Sequence, residues 1–119
     1  MSAVIGDKVV LLRDHDLMDR AYLAGILDGE GTIYFRRDHR SVVVRVTNTS
    51  QELLFWIAER WGGSISEEKS SHRDGYTRKP CWRWTLSGAS AAELLRDCAC
   101  YLIVKEDRAR KALALWDER

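Results

Sequence analysis

Residues 23–31 read Leu23-Ala24-Gly25-Ile26-Leu27-Asp28-Gly29-Glu30-Gly31, an apolar helical turn that runs into two acids set among glycines. Ala21, Gly25 and Gly29 recur at every fourth position and so share one face of a helix. A face without side-chain bulk lets a second helix approach closely, and a carboxylate then sits where the helix ends. Packing seam and acid, side by side, point to a catalytic centre built at a subunit interface. From Thr32 onward apolar and polar residues alternate, so the stretch joins a helix directly to a strand.

Upstream, Asp16 is placed to cap a helix over 16–28, Asp19 suits its positive N-terminus, and Gly31 fits the left-handed residue that often ends a helix. Downstream, Ile33 and Phe35 alternate with Tyr34 and Arg36, and Val42, Val44 and Val46 alternate with Ser41, Val43, Arg45 and Thr47. With a turn near Asp38-His39-Arg40, that is a hairpin with one apolar and one mainly polar face, broken only by Val43. Thr49 and Glu52 read as a capping box for a second helix carrying Leu53, Leu54, Ile57, Ala58 and Trp61, which Gly62-Gly63 stops. Residues 64–68 and 81–87 form a second hairpin across a long polar loop, with Trp82, Trp84 and Leu86 facing one way and Cys81, Arg83 and Thr85 the other. Ser90 and Glu93 suggest a box for a third helix, which continues or restarts near Ile103 towards Trp116. The order α-β-β-α-β-β-α(-α) defines an α+β domain: a four-stranded antiparallel sheet, helices on its apolar face and a basic face left open.

The 119 residues suit one domain, residues 1–15 being an N-terminal extension. No apolar run reaches the roughly 20 residues that span a bilayer, and no signal peptide is evident, so a cytoplasmic or organellar-matrix protein is expected. Cys81, Cys98 and Cys100 form no CxxC pair and the three histidines are scattered, which argues against structural zinc. The net charge is only +1, but it is unevenly spread. Residues 1–30 carry three basic and six acidic side chains, 31–49 four and one, 50–68 one and four, and 69–92 five and one. Positive charge is thus concentrated in the two hairpins. The plainer reading of one such run is a solvated face; two in one small domain favour a nucleic-acid partner.

With these elements in place, the chain resembles the LAGLIDADG homing endonucleases. The nine-residue motif is identical at Leu23, Ala24, Gly25, Asp28 and Gly31 and conservatively varied at Ile26, Leu27, Gly29 and Glu30. The αββαββα order follows it, and Leu102-Ile103-Val104-Lys105 falls where such proteins place a functional lysine. The resemblance implies that motif helices pack in pairs; a chain with one motif is then a homodimer joined through Ala21, Gly25 and Gly29. It implies that Glu30 and the Gly29 carbonyl hold Mg²⁺, or another divalent cation such as Mn²⁺, against the scissile phosphate. Relatives often carry Asp where this chain has Glu30. It also implies a catalytic role for Lys105, near the cut phosphate, and for Asn48, where relatives often have a polar water-organising residue. Asp28 cannot share Glu30's direction on a helix and reads as structural. Glu52 departs from the pattern, since homodimeric relatives can have a basic residue near here.

Reading of double-stranded DNA would fall to the open face. By strand parity the candidates are Tyr34, Arg36, Ser41, Val43 and Arg45 in the first hairpin and Ser66, Glu68, Arg83 and Thr85 in the second, with Asp38, Arg40, Arg78 and Lys79 at the turns. The expected function is a site-specific, metal-dependent DNA endonuclease encoded in an intron or intein and acting on a near-palindromic target. The alternatives are an RNA maturase, whose partner is intron RNA, and a DNA-binding regulator that does not cut.

Overall fold

The computed structural model describes residues 2–5, 8–11, 15–68 and 80–119. Helix α1 (Leu17–Glu30) is capped by Asp16, whose carboxylate accepts from the Asp19 N–H while the Asp19 side chain accepts from the Asp16 N–H. It runs two residues further than the sequence suggests, making Glu30 its last residue. Gly31 follows at φ −84° and ψ 160°, extended and not left-handed. Glycine is required there for space: a Cβ would lie 2.7 Å from the Leu27 Cα and 2.9 Å from its carbonyl oxygen.

Strands β1 (Ser2–Ile5) and β2 (Lys8–Leu11) precede α1, and β3 (Gly31–Arg36) and β4 (Ser41–Asn48) follow it. Next come α2 (Gln51–Trp61), β5 (Ser64–Glu68), β6 (Cys81–Ser87), α3 (Ala89–Cys98), a 3₁₀ turn (Ala99–Tyr101) and α4 (Glu106–Glu118). The sheet order is β2-β1-β5-β6-β4-β3. The antiparallel unit β5-β6-β4-β3 is the four-stranded sheet read from the sequence. The N-terminal extension lengthens it, β1 pairing parallel to β5 through Val4 with Ser64 and Ile5 with Ile65.

Two caps differ from the sequence reading. Ser50, not Thr49, caps α2, its hydroxyl accepting from the Leu53 N–H 3.2 Å away. Gly88 starts α3 without a side-chain cap, in place of a Ser90–Glu93 box. Of the two courses read for the third helix, the chain takes the restart: α3 ends before the Ala99–Tyr101 turn and α4 begins at Glu106.

The apolar face of the sheet (Ile33, Val42, Val44, Val46, Ile65, Trp84) packs against Leu23 and Leu27 of α1, Leu54 and Ile57 of α2, Leu94, Leu95 and Cys98 of α3, and Ala109 and Ala112 of α4. Each large side chain so buried stabilises the fold by about 1.5–3 kcal/mol relative to exposure. The Trp84 indole N–H donates to the Gly62 carbonyl at 2.7 Å, and at Gly63 (φ +100°) a Cβ would sit 2.6 Å from that nitrogen. The Gly62-Gly63 pair thus ends α2 and admits the central tryptophan. Burial pushes the Cys98 thiol up to about 12, so it stays protonated and inert.

Candidate active site and nucleic-acid interface

Glu30 lies at the C-terminal end of α1, where unpaired carbonyls and the helix dipole favour a cation. Its Oε2 accepts from Asn48 Nδ2 at 2.5 Å, linking the helix end to the end of β4. Asn48 is itself oriented: its Oδ1 accepts from the Ser50 N–H at 2.7 Å, an Asx turn leading into α2. With the oxygen so occupied, the amide must present its N–H to Glu30. No partner for Glu30 Oε1 is found among the described residues.

Asp28 does a different job. Its Oδ2 accepts from the Ile103 N–H at 2.8 Å, and its Oδ1 accepts from the N–H groups of Val104 and Lys105 at 3.1 and 3.0 Å. Burial pushes this carboxyl up, but the Ile103, Lys105 and Val104 donors and the Lys105 charge outweigh burial and hold it below the usual carboxylate range. The loop answers in kind: Lys105 Nζ donates to the carbonyls of Leu27 at 2.6 Å and Asp28 at 3.0 Å. Helix carboxylate clamps loop backbone, and loop ammonium caps helix carbonyls. Glu30, Asn48 and Lys105 are thereby gathered around one helix end from three separate elements.

A divalent ion fits this donor set only in part. Among the described residues no three acidic, histidine or cysteine side chains converge. One carboxylate oxygen at the negative end of a helix, with the Gly29 carbonyl in the same last turn, would supply two of the roughly six oxygens that a hard cation takes.

Gly25 and Gly29 are exposed, and a Cβ at either would meet nothing within 4 Å. Ala21 is exposed beside them, as are Met18 (81%) and Tyr22 (57%) on the same helix and Ile103 (87%) and Val104 (74%) on the clamped loop. The small-residue face of α1 is therefore open and bordered by large apolar side chains.

The strand candidates share one sheet face: the register aligns Arg36 with Ser41, Tyr34 with Val43, Arg45 with Thr85, and Ser66 with Arg83. Asp38 and Arg40 occupy the exposed turn between β3 and β4. Arg36 pairs with Asp38 at 2.9 Å, which holds that aspartate below the usual carboxylate range. Arg83 pairs with Glu68. Among the described residues Arg45 has no acidic partner, and it lies 5.7 Å from the Tyr34 ring centre. Val43 lies at 3% exposure in a cleft of about 160 Å³ among Tyr34, Arg36, Ser41, Arg45 and Thr85. Arg78 and Lys79 lie outside the described residues. Glu52 is exposed in the first turn of α2 and has no capping role. The orienting Ser50 N–H was missed in the sequence reading; the Asn48-Thr49-Ser50 turn signal before a helix was the available clue.

An αββαββα core with an acid-bearing helix end beside an open basic sheet face defines the homing-endonuclease class of fold. The model of the LAGLIDADG-like domain matches residues 18–115, and the chain belongs to that family, the family of the LAGLIDADG homing endonucleases. Among solved structures the chain is similar to the homing endonuclease I-CvuI in complex with its target (Sro1.3) in the presence of 2 mM Ca. The TM-score is 0.66 at 23% identity, over 87% of this chain and 69% of that one. It is also similar to I-CvuI with the I-CreI target (C1221) in 2 mM Mg, in which the DNA is not cleaved (TM-score 0.62, 22% identity, 87% and 68% covered). No curated protein matches the sequence.

Proposed function

We propose that the chain is a site-specific, double-stranded DNA homing endonuclease that acts as a homodimer on a near-palindromic target and uses Mg²⁺ or a similar divalent cation. The observation that carries this reading is the Glu30 carboxylate, presented at an open helix end, steered by Asn48 and flanked by Lys105. Family membership supports nuclease chemistry, and the I-CvuI structures hold target DNA with Ca or Mg. The open α1 face supports pairing with a second copy, since a Cβ on Gly25 or Gly29 would meet nothing within 4 Å among the described residues. The expected setting is an intron- or intein-encoded protein of the cytoplasm or an organellar matrix. No helix among the described residues is long and apolar enough to cross a membrane.

Two copies joined along α1 bring two Glu30 carboxylates together, where like charges repel unless a cation lies between them. Glu30 and the Gly29 carbonyl would hold the cation, with DNA phosphate and water completing its ligands. When bound, the cation supplies a more acidic water and neutralises charge developing on the phosphate. Asn48 keeps one Glu30 oxygen occupied and so fixes where the other points. Lys105, whose ammonium donates to the Leu27 and Asp28 carbonyls at the same helix end, would face the phosphate when DNA is bound. A protein that only binds DNA has no use for the Glu30–Asn48 pair, which favours cleavage over the regulator reading.

Incubating the protein with a plasmid library of randomised sites and Mg²⁺ should linearise the plasmids carrying the target. A chelator should stop cleavage and leave binding intact. Glu30→Gln should bind the selected target with near-normal affinity and not cut it; cutting at the wild-type rate would remove Glu30 from the centre.

A further inference from the structure

Sorting the basic side chains by partner separates two populations. Arg20, Arg36, Arg60, Arg83, Arg96 and Arg110 each lie against an aspartate or glutamate. Arg60 Nε is 3.2 Å from Asp19 Oδ2, an ion pair without hydrogen-bond alignment. Among the described residues Arg37, Arg40, Arg45, Lys105, Arg108, Lys111 and Arg119 form no ion pair with an acid; Lys105 is spent on the carbonyls of α1 and Arg119 lies over the Trp116 ring. Three of them, Arg37, Arg108 and Lys111, line one groove of about 670 Å³ between β3 and α4, with Asp107 as its only acid.

We propose that this groove is a phosphate track, on which Arg37, Arg108 and Lys111 hold the backbone of one strand of the bound duplex. The inference rests on the DNA-binding reading above and adds a surface to it. Three observations carry it. The groove follows the sheet's outer strand, β3, beside which no further strand lies among the described residues. It is continuous with the open face, because Tyr34 lines both this groove and the cleft containing Arg36 and Arg45. It also connects the two places where DNA is expected: Val104, at one end, is the neighbour of Lys105, and Arg37, at the other, stands in the β3–β4 turn beside Arg36. A strand of six residues spans roughly 17 Å, about five nucleotides of rise along one DNA strand. Three cations that form no ion pair, against the single Asp107, leave a net positive row over that length that is complementary to phosphates. Cations also discourage edge-to-edge pairing of an outer strand, but that role needs charge and no phosphate.

The test is the salt dependence of binding, read by anisotropy of a labelled random-sequence duplex without divalent metal. Backbone contacts contribute a slope of about −0.9 per phosphate in log K against log salt. The variant R108Q/K111Q should therefore lose about two units of slope and bind roughly 10- to 60-fold more weakly near 0.1 M salt. The control R96Q/R110Q removes the same charge from two arginines that already have acids, and its slope should stay near that of the wild type. Equal losses in both double variants reduce the effect to net charge and overturn the track, as does a wild-type slope in R108Q/K111Q. R37Q, in a turn outside the helix, should lose about one unit of slope; if the helix variant does not fold, a wild-type slope in R37Q overturns the track instead. Should the wild type bind no duplex at any salt, the DNA-binding reading falls as well, an outcome distinct from the others.

Discussion

Asp28 and Glu30 stand two positions apart on one helix, and their surroundings give them opposite work. Asp28 spends both oxygens on three backbone N–H groups of the 103–105 loop, whereas Glu30 keeps one oxygen without a described partner. Asp28→Asn should destabilise the domain by about 1–3 kcal/mol, since one amide oxygen cannot serve three donors and the new NH₂ faces them. Its pH signature follows from the depressed folded-state pKa. The carboxylate's contribution is complete above the ordinary value of 3.8 and is lost as pH falls through the lower folded value. Urea titrations between pH 6 and 2 should show the wild type losing stability more steeply than Asp28→Asn in that acid window. The structural role of Asp28 was legible from helical direction alone. Its partners were not, because a separation of more than seventy residues leaves no trace in local spacing. Gly31 was recognised for the wrong reason, as its backbone is extended and only the Leu27 backbone shows why no side chain fits. Gly31→Ala should cost about 1–3 kcal/mol in thermal or urea unfolding by overpacking, with no contribution from φ.

Among the elements, the strands were the most legible: residues 64–68 and 81–87 were bounded by alternation and stand as β5 and β6. Caps were less so, since adjacent Thr49 and Ser50 carry the same hydroxyl and only backbone geometry chooses between them. The N-terminal hairpin escaped because β1 joins the sheet by pairing with β5, far along the chain. Helix α1 shows most plainly what a single copy leaves undone. It buries Leu23, Ala24 and Leu27, while Met18, Tyr22, Gly25 and Gly29 remain outside. Gly25→Leu separates the two roles of the helix. A Cβ at this position meets nothing within 4 Å among the described residues, and leaving glycine favours the helix by about 1 kcal/mol. Light scattering should therefore find a folded monomer whose melting temperature no longer rises with concentration, unlike the wild type. A folded dimer of Gly25→Leu would place the second copy elsewhere.

For the whole molecule, the net charge of +1 says little, because acids and bases are sorted by place. Paired arginines brace the helices and strand ends, and among the described residues Arg37, Arg45 and Arg108, which form no ion pair with an acid, line the open face and the β3 edge. That distribution was half legible: the basic hairpins stood out in the sequence, whereas Arg108 and Lys111 sat in a balanced segment and gained meaning only when α4 packed beside β3. On the proposed reading, each chain would bring one catalytic carboxylate, Glu30, to a dimer. If each copy's carboxylate serves one scissile phosphate, a dimer of one wild-type and one Glu30→Gln chain keeps one working half. Tagged chains co-expressed and purified as the mixed dimer should nick a supercoiled target plasmid and produce little linear product. The strand cut should switch when an asymmetric target fixes the dimer's orientation the other way. A mixed dimer that does not cut at all would mean that the two carboxylates act as one centre, with both needed for either strand.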